Sequence, residues 1–257
     1  MDPRLRLTFA DGIATIALNR PDKRNAMDQG MWEAMPATIA AAMAEPGVRV
    51  VLLASATPGI FCAGADIAEF AARVSDRTWW AANRRAIRAA QKALVEAPRP
   101  TIAVVDGDCV GGGCGLALAC DLRIASPRSR FGITPARLGL VYPLHDTRLL
   151  VDLVGPAQAK RMLYSARLLP AREAHAIGLL TEVAEDPMAA SLALAADMCA
   201  VSGDSQRWAK ATIARILAGV RDDDAESEAL FDAARDGPDF AEGVAAFLEK
   251  RPARFRP

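Results

Sequence analysis

Two short segments combine residue types able to do chemistry. The first, Gly59-Ile60-Phe61-Cys62-Ala63-Gly64-Ala65-Asp66-Ile67, follows an apolar run and mixes small with apolar side chains. Small side chains let a ligand approach the backbone N–H groups closely. The second, Gly111-Gly112-Gly113-Cys114-Gly115, follows a predicted strand and opens a predicted helix. Free N–H groups and the positive end of a helix dipole therefore point into one place, which suits an anion. Two strand-end loops, each offering one N–H, can form an oxyanion hole for charge building up on a carbonyl oxygen such as that of a thioester. The same glycines can instead serve close helix and sheet packing.

Other chemistries lack their parts. No G-x-x-x-x-G-K-[ST] loop, complete G-x-G-x-x-G, H-E-x-x-H or G-x-S-x-G elbow occurs, so nucleotide hydrolysis, dehydrogenation and triad hydrolysis lose support. Two isolated histidines, His145 and His175, do not suggest a metal site. Five cysteines without a C-x-x-C pair fit buried free thiols in a reducing compartment. The 31 Lys+Arg balance 31 Asp+Glu, which argues against nucleic acid and anionic membrane as partners. The start, Met1-Asp2-Pro3-Arg4, has no secretory pattern and no long apolar run follows, so a cytoplasmic protein is expected.

The elements that must position these loops alternate. Leu5–Phe9 and Ile13–Leu18 flank Asp11-Gly12 and predict a hairpin. Residues 28–43 predict a helix and Val48–Ala54 a buried strand. Thr78–Ala97 predicts a helix, Thr101–Val105 a strand, Gly112–Cys120 a helix and Leu122–Ala125 a strand. The fold class is α/β with a mostly parallel core. After Asp146 helix follows helix (146–154, 156–164, 171–177, 189–201, 203–218, 223–235, 239–249), apart from a strand at Leu179–Val183. A core of residues 1–200 with a C-terminal helical region, 201–257, in one structural unit is expected. The helices are rich in Ala, Leu and Met, which predicts packing against another copy of the chain. Asp222-Asp223-Asp224 reads as a helix cap.

Together the segments resemble the crotonase superfamily, the enoyl-CoA hydratase/isomerase family, over nearly the whole chain. The resemblance rests on Leu18 to Met27, Phe61 to Ile67, Gly111 to Cys114, Asp121 to Ala125 with Phe131-Gly132, and Gly243 to Arg251. It implies a crotonase (ClpP-like) spiral of ββα units with a C-terminal helical trimerisation layer, assembled as a homotrimer or dimer of trimers. It implies an acyl-CoA substrate, with coenzyme A part of the substrate and no separate cofactor or metal. By position, the N–H groups of Ala65 and Gly112 would form the oxyanion hole. Ala63, Asp66 and Ile67 would lie along the CoA, Lys23 and Arg24 near its phosphates, and Phe247 and Lys250 near an adenine held by a neighbouring subunit.

The chain departs from the family pattern where hydratases carry two glutamates: those positions read Gly115 and Pro135. Neither can transfer a proton, so ordinary hydration is not expected. The stretch Phe131 to Tyr142 resembles the methylmalonyl-CoA decarboxylase branch, with Thr134 and Tyr142 matching its polar residues, although that branch has His where this chain has Ala65. Loss of CO₂ from a small malonyl-type thioester needs no base, and the leading expectation is such a decarboxylation. The alternatives are an atypical enoyl-CoA isomerase or hydratase using Asp66, His145 or Asp146, and a catalytically silent CoA-binding protein. Asp146 reads as a solvated helix cap, and Trp79-Trp80 either folds over the cleft or packs in the core or an interface.

Overall fold

The computed structural model describes residues 2–255. The hairpin β1 (Leu5–Ala10) and β2 (Ile13–Leu18) leads through α1 (Gln29–Ala44) to β3 (Val50–Ser55), β4 (Ile60–Cys62), α2 (Ile67–Ala72) and α3 (Arg77–Val95). Then follow β5 (Thr101–Val105), β6 (Asp108–Val110), α4 (Gly112–Ala119), β7 (Leu122–Ala125), β8 (Arg130–Gly132) and α5 (Leu144–Ser165). The remainder is β9 (Leu169–Pro170), α6 (Ala171–Ala176), β10 (Glu182–Val183), α7 (Pro187–Cys199), α8 (Gly203–Leu217), α9 (Ala225–Arg235) and α10 (Pro238–Glu249).

The strands form two sheets, ordered β1-β2-β3-β5-β7-β10 and β4-β6-β8-β9. Three times the chain lays one strand in the large sheet, turns, lays a three-residue strand in the small one and leaves through a helix: β3-β4, β5-β6 and β7-β8. This is the expected ββα spiral, and its large sheet is parallel beyond the hairpin. The stacked turns are cross-linked. Asp106 Oδ2 accepts from the Gly59 N–H at 2.8 Å and Ser129 Oγ from the Gly107 N–H at 3.0 Å. The Arg128 guanidinium holds the Asp106 carboxyl down at about 2. At Gly107, φ is +91° and a methyl group would lie 1.9 Å from the Gly59 carbonyl oxygen, so only glycine lets the turns stack.

The small sheet is the main departure from expectation, since the sequence predicts loop over Gly59 to Ile67 and a strand that ends at Val105. Three residues are too few to show the alternation that marks a strand. The helices expected over 146–154 and 156–164 are both present, joined end to end as α5 across Gly155, whose backbone (φ 71°, ψ 166°) is not helical, before Pro156. Leu179–Val183 shortens to the two residues of β10. Asp224 does cap α9, accepting from the Ser227 N–H at 3.0 Å. Cys62, Cys109, Cys114 and Cys120 are buried, and burial pushes the Cys62 and Cys120 thiols up to about 12.

Trp79 and Trp80 are half-buried and pack with Phe70, at centroid distances of 5.9 and 4.7 Å, tying α2 to α3. A basic stripe that the balanced composition hid runs along α3: Arg84, Arg85 and Arg88 are exposed and form no ion pair among the described residues. No helix among them is long and apolar enough to cross a membrane. The helices α8 to α10 expose an apolar face, with Phe231 72% and Phe247 83% accessible around a groove of about 580 Å³.

Candidate active site

The site begins where α4 begins. Gly111 takes φ 54°, donates to the Gly132 carbonyl at 2.8 Å, and accepts the first helical bond from the Gly115 N–H at 3.0 Å. The N–H groups of Gly112, Gly113 and Cys114 therefore have no acceptor inside the helix. A methyl group on Gly113 would meet Cys62 Cβ at 2.6 Å, so this glycine seats α4 directly on β4. A methyl on Gly112 would lie 2.9 Å from Cζ2 of the fully buried Trp32 and 3.7 Å from the Ala65 nitrogen.

Ala65 approaches from the other loop. Met27 donates to the Gly64 carbonyl at 2.7 Å and Asp66 donates to the Met27 carbonyl at 2.9 Å, leaving the Ala65 N–H on the opposite side without an acceptor among the described residues. Gly64, at φ +100°, lies against the Val110 carbonyl and Gly112 nitrogen, where a methyl would sit 2.8 and 3.4 Å away. Two unpaired N–H groups thus converge from separate loops, the arrangement that stabilises an oxyanion. Thr134 Oγ1 borders the same spot, 3.9 Å from where a methyl on Gly111 would be.

Three residues beyond Gly112, on the same face of α4, lies Gly115. Its missing side chain leaves room for groups from two other elements: a methyl there would meet Gln91 Nε2 at 2.5 Å and Asp146 Oδ1 and the Tyr142 hydroxyl at 3.1 Å each. Asp146 is 4% exposed and accepts from Gln91 Nε2 at 2.5 Å. Burial raises its carboxyl above the ordinary range, against the opposing Gln91 hydrogen bond. Burial, with the Asp146 charge beside it, likewise pushes the Tyr142 phenol well up. The Tyr142 hydroxyl and Gln91 Oε1 are buried without a hydrogen-bond partner.

The expectation of a solvated cap at Asp146 is therefore corrected. Pro143 caps α5, and Asp146, three residues later in the first turn, rotates inward onto α4. Asp66 is not a spare acid either. It caps α2 by accepting from Ala68 N–H at 3.1 Å and pairs with Arg20 at 2.9 Å. Burial opposes its ionisation, but Arg20 and the N–H groups of Ala68 and Glu69 together outweigh it and hold the carboxyl below its usual value.

The structure thus brings Ala65, Gly112, Thr134, Tyr142 and Asp146 around one end of α4. Ala63 donates to the Arg24 carbonyl at 3.0 Å, which joins the loop of Lys23 and Arg24 to that of Ala65. Arg24 pairs with Asp108 at 2.8 Å, whereas exposed Lys23 has no ion pair among the described residues. Ile67 is 48% exposed at the start of α2. Phe247 stands on α10, which packs on α9, and Lys250 caps its C-terminus; the groove that Phe247 lines includes none of the residues around α4. Sequence reasoning missed Gln91 and Trp32. The available signal was Gln91's place beside Ala90 and Leu94 on the buried stripe of α3, where a polar residue needs a partner.

Gly115→Glu is expected not to install a working glutamate. Its Cβ would collide with Gln91 and force the cluster apart, costing about 1–3 kcal/mol. Thermal unfolding and a crotonyl-CoA hydration assay check both halves.

An enoyl-CoA hydratase/isomerase family model matches residues 8–257. Methylglutaconyl-CoA hydratase of Rattus norvegicus, a mitochondrial protein, is 32% identical over 256 residues, covering 95% of this chain and 79% of the relative. An enoyl-CoA hydratase/isomerase family protein from Hyphomonas neptunium superposes with TM-score 0.95 at 40% identity, covering 98% of this chain and 97% of that one. An enoyl-CoA hydratase/carnithine racemase from Magnetospirillum magneticum gives 0.93 at 32%, covering 99% and 96%.

Proposed function

This chain belongs to the enoyl-CoA hydratase/isomerase family, and we propose that it moves a proton on an acyl-CoA thioester, isomerising a 3-enoyl-CoA to a 2-enoyl-CoA. The observation that carries the reading is the Asp146 carboxyl, 4% exposed, on the face of α4 that also presents the Gly112 N–H. The thioester oxygen sits on the N–H groups of Ala65 and Gly112. Asp146 removes the α-proton, the two N–H groups hold the resulting dienolate oxygen, and Asp146 returns the proton at the γ-carbon. A carboxyl raised by burial suits both halves, since it is a stronger base than a solvated carboxylate and remains able to donate.

Hydration asks for two groups, one to deprotonate water and one to protonate the α-carbon. Among the described residues one carboxyl borders the oxyanion loops by way of Gly115, and a 1,3-proton shift needs one. Lys23 and Arg24, on the loop tied to Ala63, are assigned to the CoA phosphates. The apolar face of α8 to α10 supports self-association, which would place Phe247 and Lys250 beside a neighbour's adenine.

A second reading, decarboxylation of a malonyl-type acyl-CoA, is favoured by the unpartnered Tyr142 hydroxyl and by Thr134 at the rim, both able to hydrogen-bond a carboxylate. An ionised Asp146 beside that carboxylate opposes it by like-charge repulsion. Incubation with 3-enoyl-CoA, crotonyl-CoA and methylmalonyl-CoA, followed by chromatography and mass spectrometry, separates the cases. Conversion of the 3-enoyl to the 2-enoyl thioester supports isomerisation. Loss of CO₂ supports the second reading, gain of water on crotonyl-CoA contradicts the single-carboxyl argument, and binding without turnover makes the chain a silent CoA binder.

A further inference from the structure

The Asp146 carboxyl is held by a residue whose hydrogen-bonding capacity is half used. Gln91, 0% exposed on α3, donates through Nε2 to Asp146 Oδ1, while its Oε1 is buried without a partner. A buried amide oxygen left unpaired costs free energy, and here it leaves an unused acceptor on the same amide that holds the carboxyl. An amide can also complement a carboxyl group in either protonation state, since it carries a donor and an acceptor on one rotatable end.

We propose that Gln91 is the positioning residue of Asp146: its amide holds the carboxyl against the Gly115 face of α4 in both protonation states. It donates to the carboxylate through Nε2 and, turned about its terminal bond, accepts from the carboxylic acid through Oε1. The inference rests on the proton-transfer reading of Asp146 and assigns Gln91 a role in it that does not require contact with substrate. Because a hydrogen bond to an ionised acceptor is about twice as strong as one between neutral groups, Gln91 favours the carboxylate on balance.

Other groups facing Asp146 are few. From its own segment come His145, whose charge favours the carboxylate, and the Tyr142 hydroxyl, which favours it too; the Cys114 thiol of α4 and Cys109 act on Tyr142. From α3 comes Gln91 alone among the described residues with a direct hydrogen bond.

The test is a carboxyl-carbon NMR titration of the full chain carrying ¹³C-labelled aspartate, with the Asp146 signal assigned by its loss in Asp146→Asn. Gln91→Met, close to glutamine in shape, is expected to move the Asp146 midpoint up by about one pH unit, tenfold in proton affinity. The limb of the kcat profile that reports Asp146 should move with it, which loss of packing alone would not produce. Gln91→Glu, which keeps the shape and adds a second carboxyl, is expected to move the midpoint up as well and guards against a folding defect in the first variant. Midpoints in both variants that coincide with that of the wild type overturn the proposal. Failure of the functional reading looks different: Asp146→Asn would then turn over at the wild-type rate, whatever the titration shows.

Discussion

Asp146→Asn is expected to lower kcat for 3-enoyl-CoA isomerisation by about 10²–10⁴-fold while leaving CoA-thioester affinity within a few-fold. The substitution keeps the shape of the side chain and can still hydrogen-bond Gln91, but cannot carry the proton. Its effect on stability should be opposite in sign. Burial raises the folded-state pKa of Asp146 above its unfolded value. Such a group contributes its stability below the unfolded pKa and loses it as pH rises through the folded one. Above that window the wild type holds a buried charge at a cost of about 1.4 kcal/mol for each unit of the shift. The asparagine variant escapes this and should melt higher than the wild type at pH 8, the gap closing toward pH 4. Loss of activity with gain of stability separates a functional acid from a structural one. Equal kcat, or a lower melting temperature at pH 8, would count against the assignment.

Gly112→Ala should be nearly as damaging by another route. The added methyl would lie 2.9 Å from Cζ2 of Trp32, which is 0% exposed and cannot retreat, so the start of α4 must shift and take the Gly112 N–H with it. Removal of one oxyanion donor costs about 10²–10³-fold in kcat, and the overpacking about 1–3 kcal/mol in stability. A non-reacting thioether analogue of the acyl-CoA has no thioester oxygen to place there. Its dissociation constant should therefore change little while kcat collapses. A parallel loss of both would show that the methyl had closed the cleft instead of displacing one donor.

Much of this arrangement is legible in the residues themselves. The glycines at 64 and 111 to 113 announce a place where backbones meet, because nothing else tolerates φ of +100° beside Val110 or a helix seated on Cys62 Cβ. The large sheet is equally readable, since Val50 to Ser55 and Thr101 to Val105 are apolar strands buried on both faces. The small sheet is not, because three-residue strands such as Asp108–Val110 carry no period and are defined by pairing with partners distant in sequence.

Asp146 shows a different limit. An aspartate in the first turn of a helix ordinarily faces water, where the dipole favours it. Its inward turn depends on two features elsewhere in the chain, the absent side chain of Gly115 and the amide of Gln91, 31 and 55 residues away. Local propensity contains neither. A glycine inside a helix at 115 and a glutamine on a buried stripe at 91 are each ordinary alone, and they acquire meaning only when α3, α4 and α5 are packed together.

Proton transfer by Asp146 on a thioester held by Ala65 and Gly112 is best probed by isotope exchange. Wild type and Asp146→Asn are incubated with a 3-enoyl-CoA in D₂O, and the 2-enoyl product and residual substrate are followed by mass spectrometry and NMR. The wild type should isomerise the substrate, with the α-hydrogen either carried to the γ-carbon or replaced by deuterium where the Asp146 acid exchanges with solvent before returning it, and Asp146→Asn should give neither isomerisation nor exchange. Exchange undiminished in the variant, or no exchange by the wild type alongside release of CO₂ from methylmalonyl-CoA, would show that Asp146 is not the group that carries the proton.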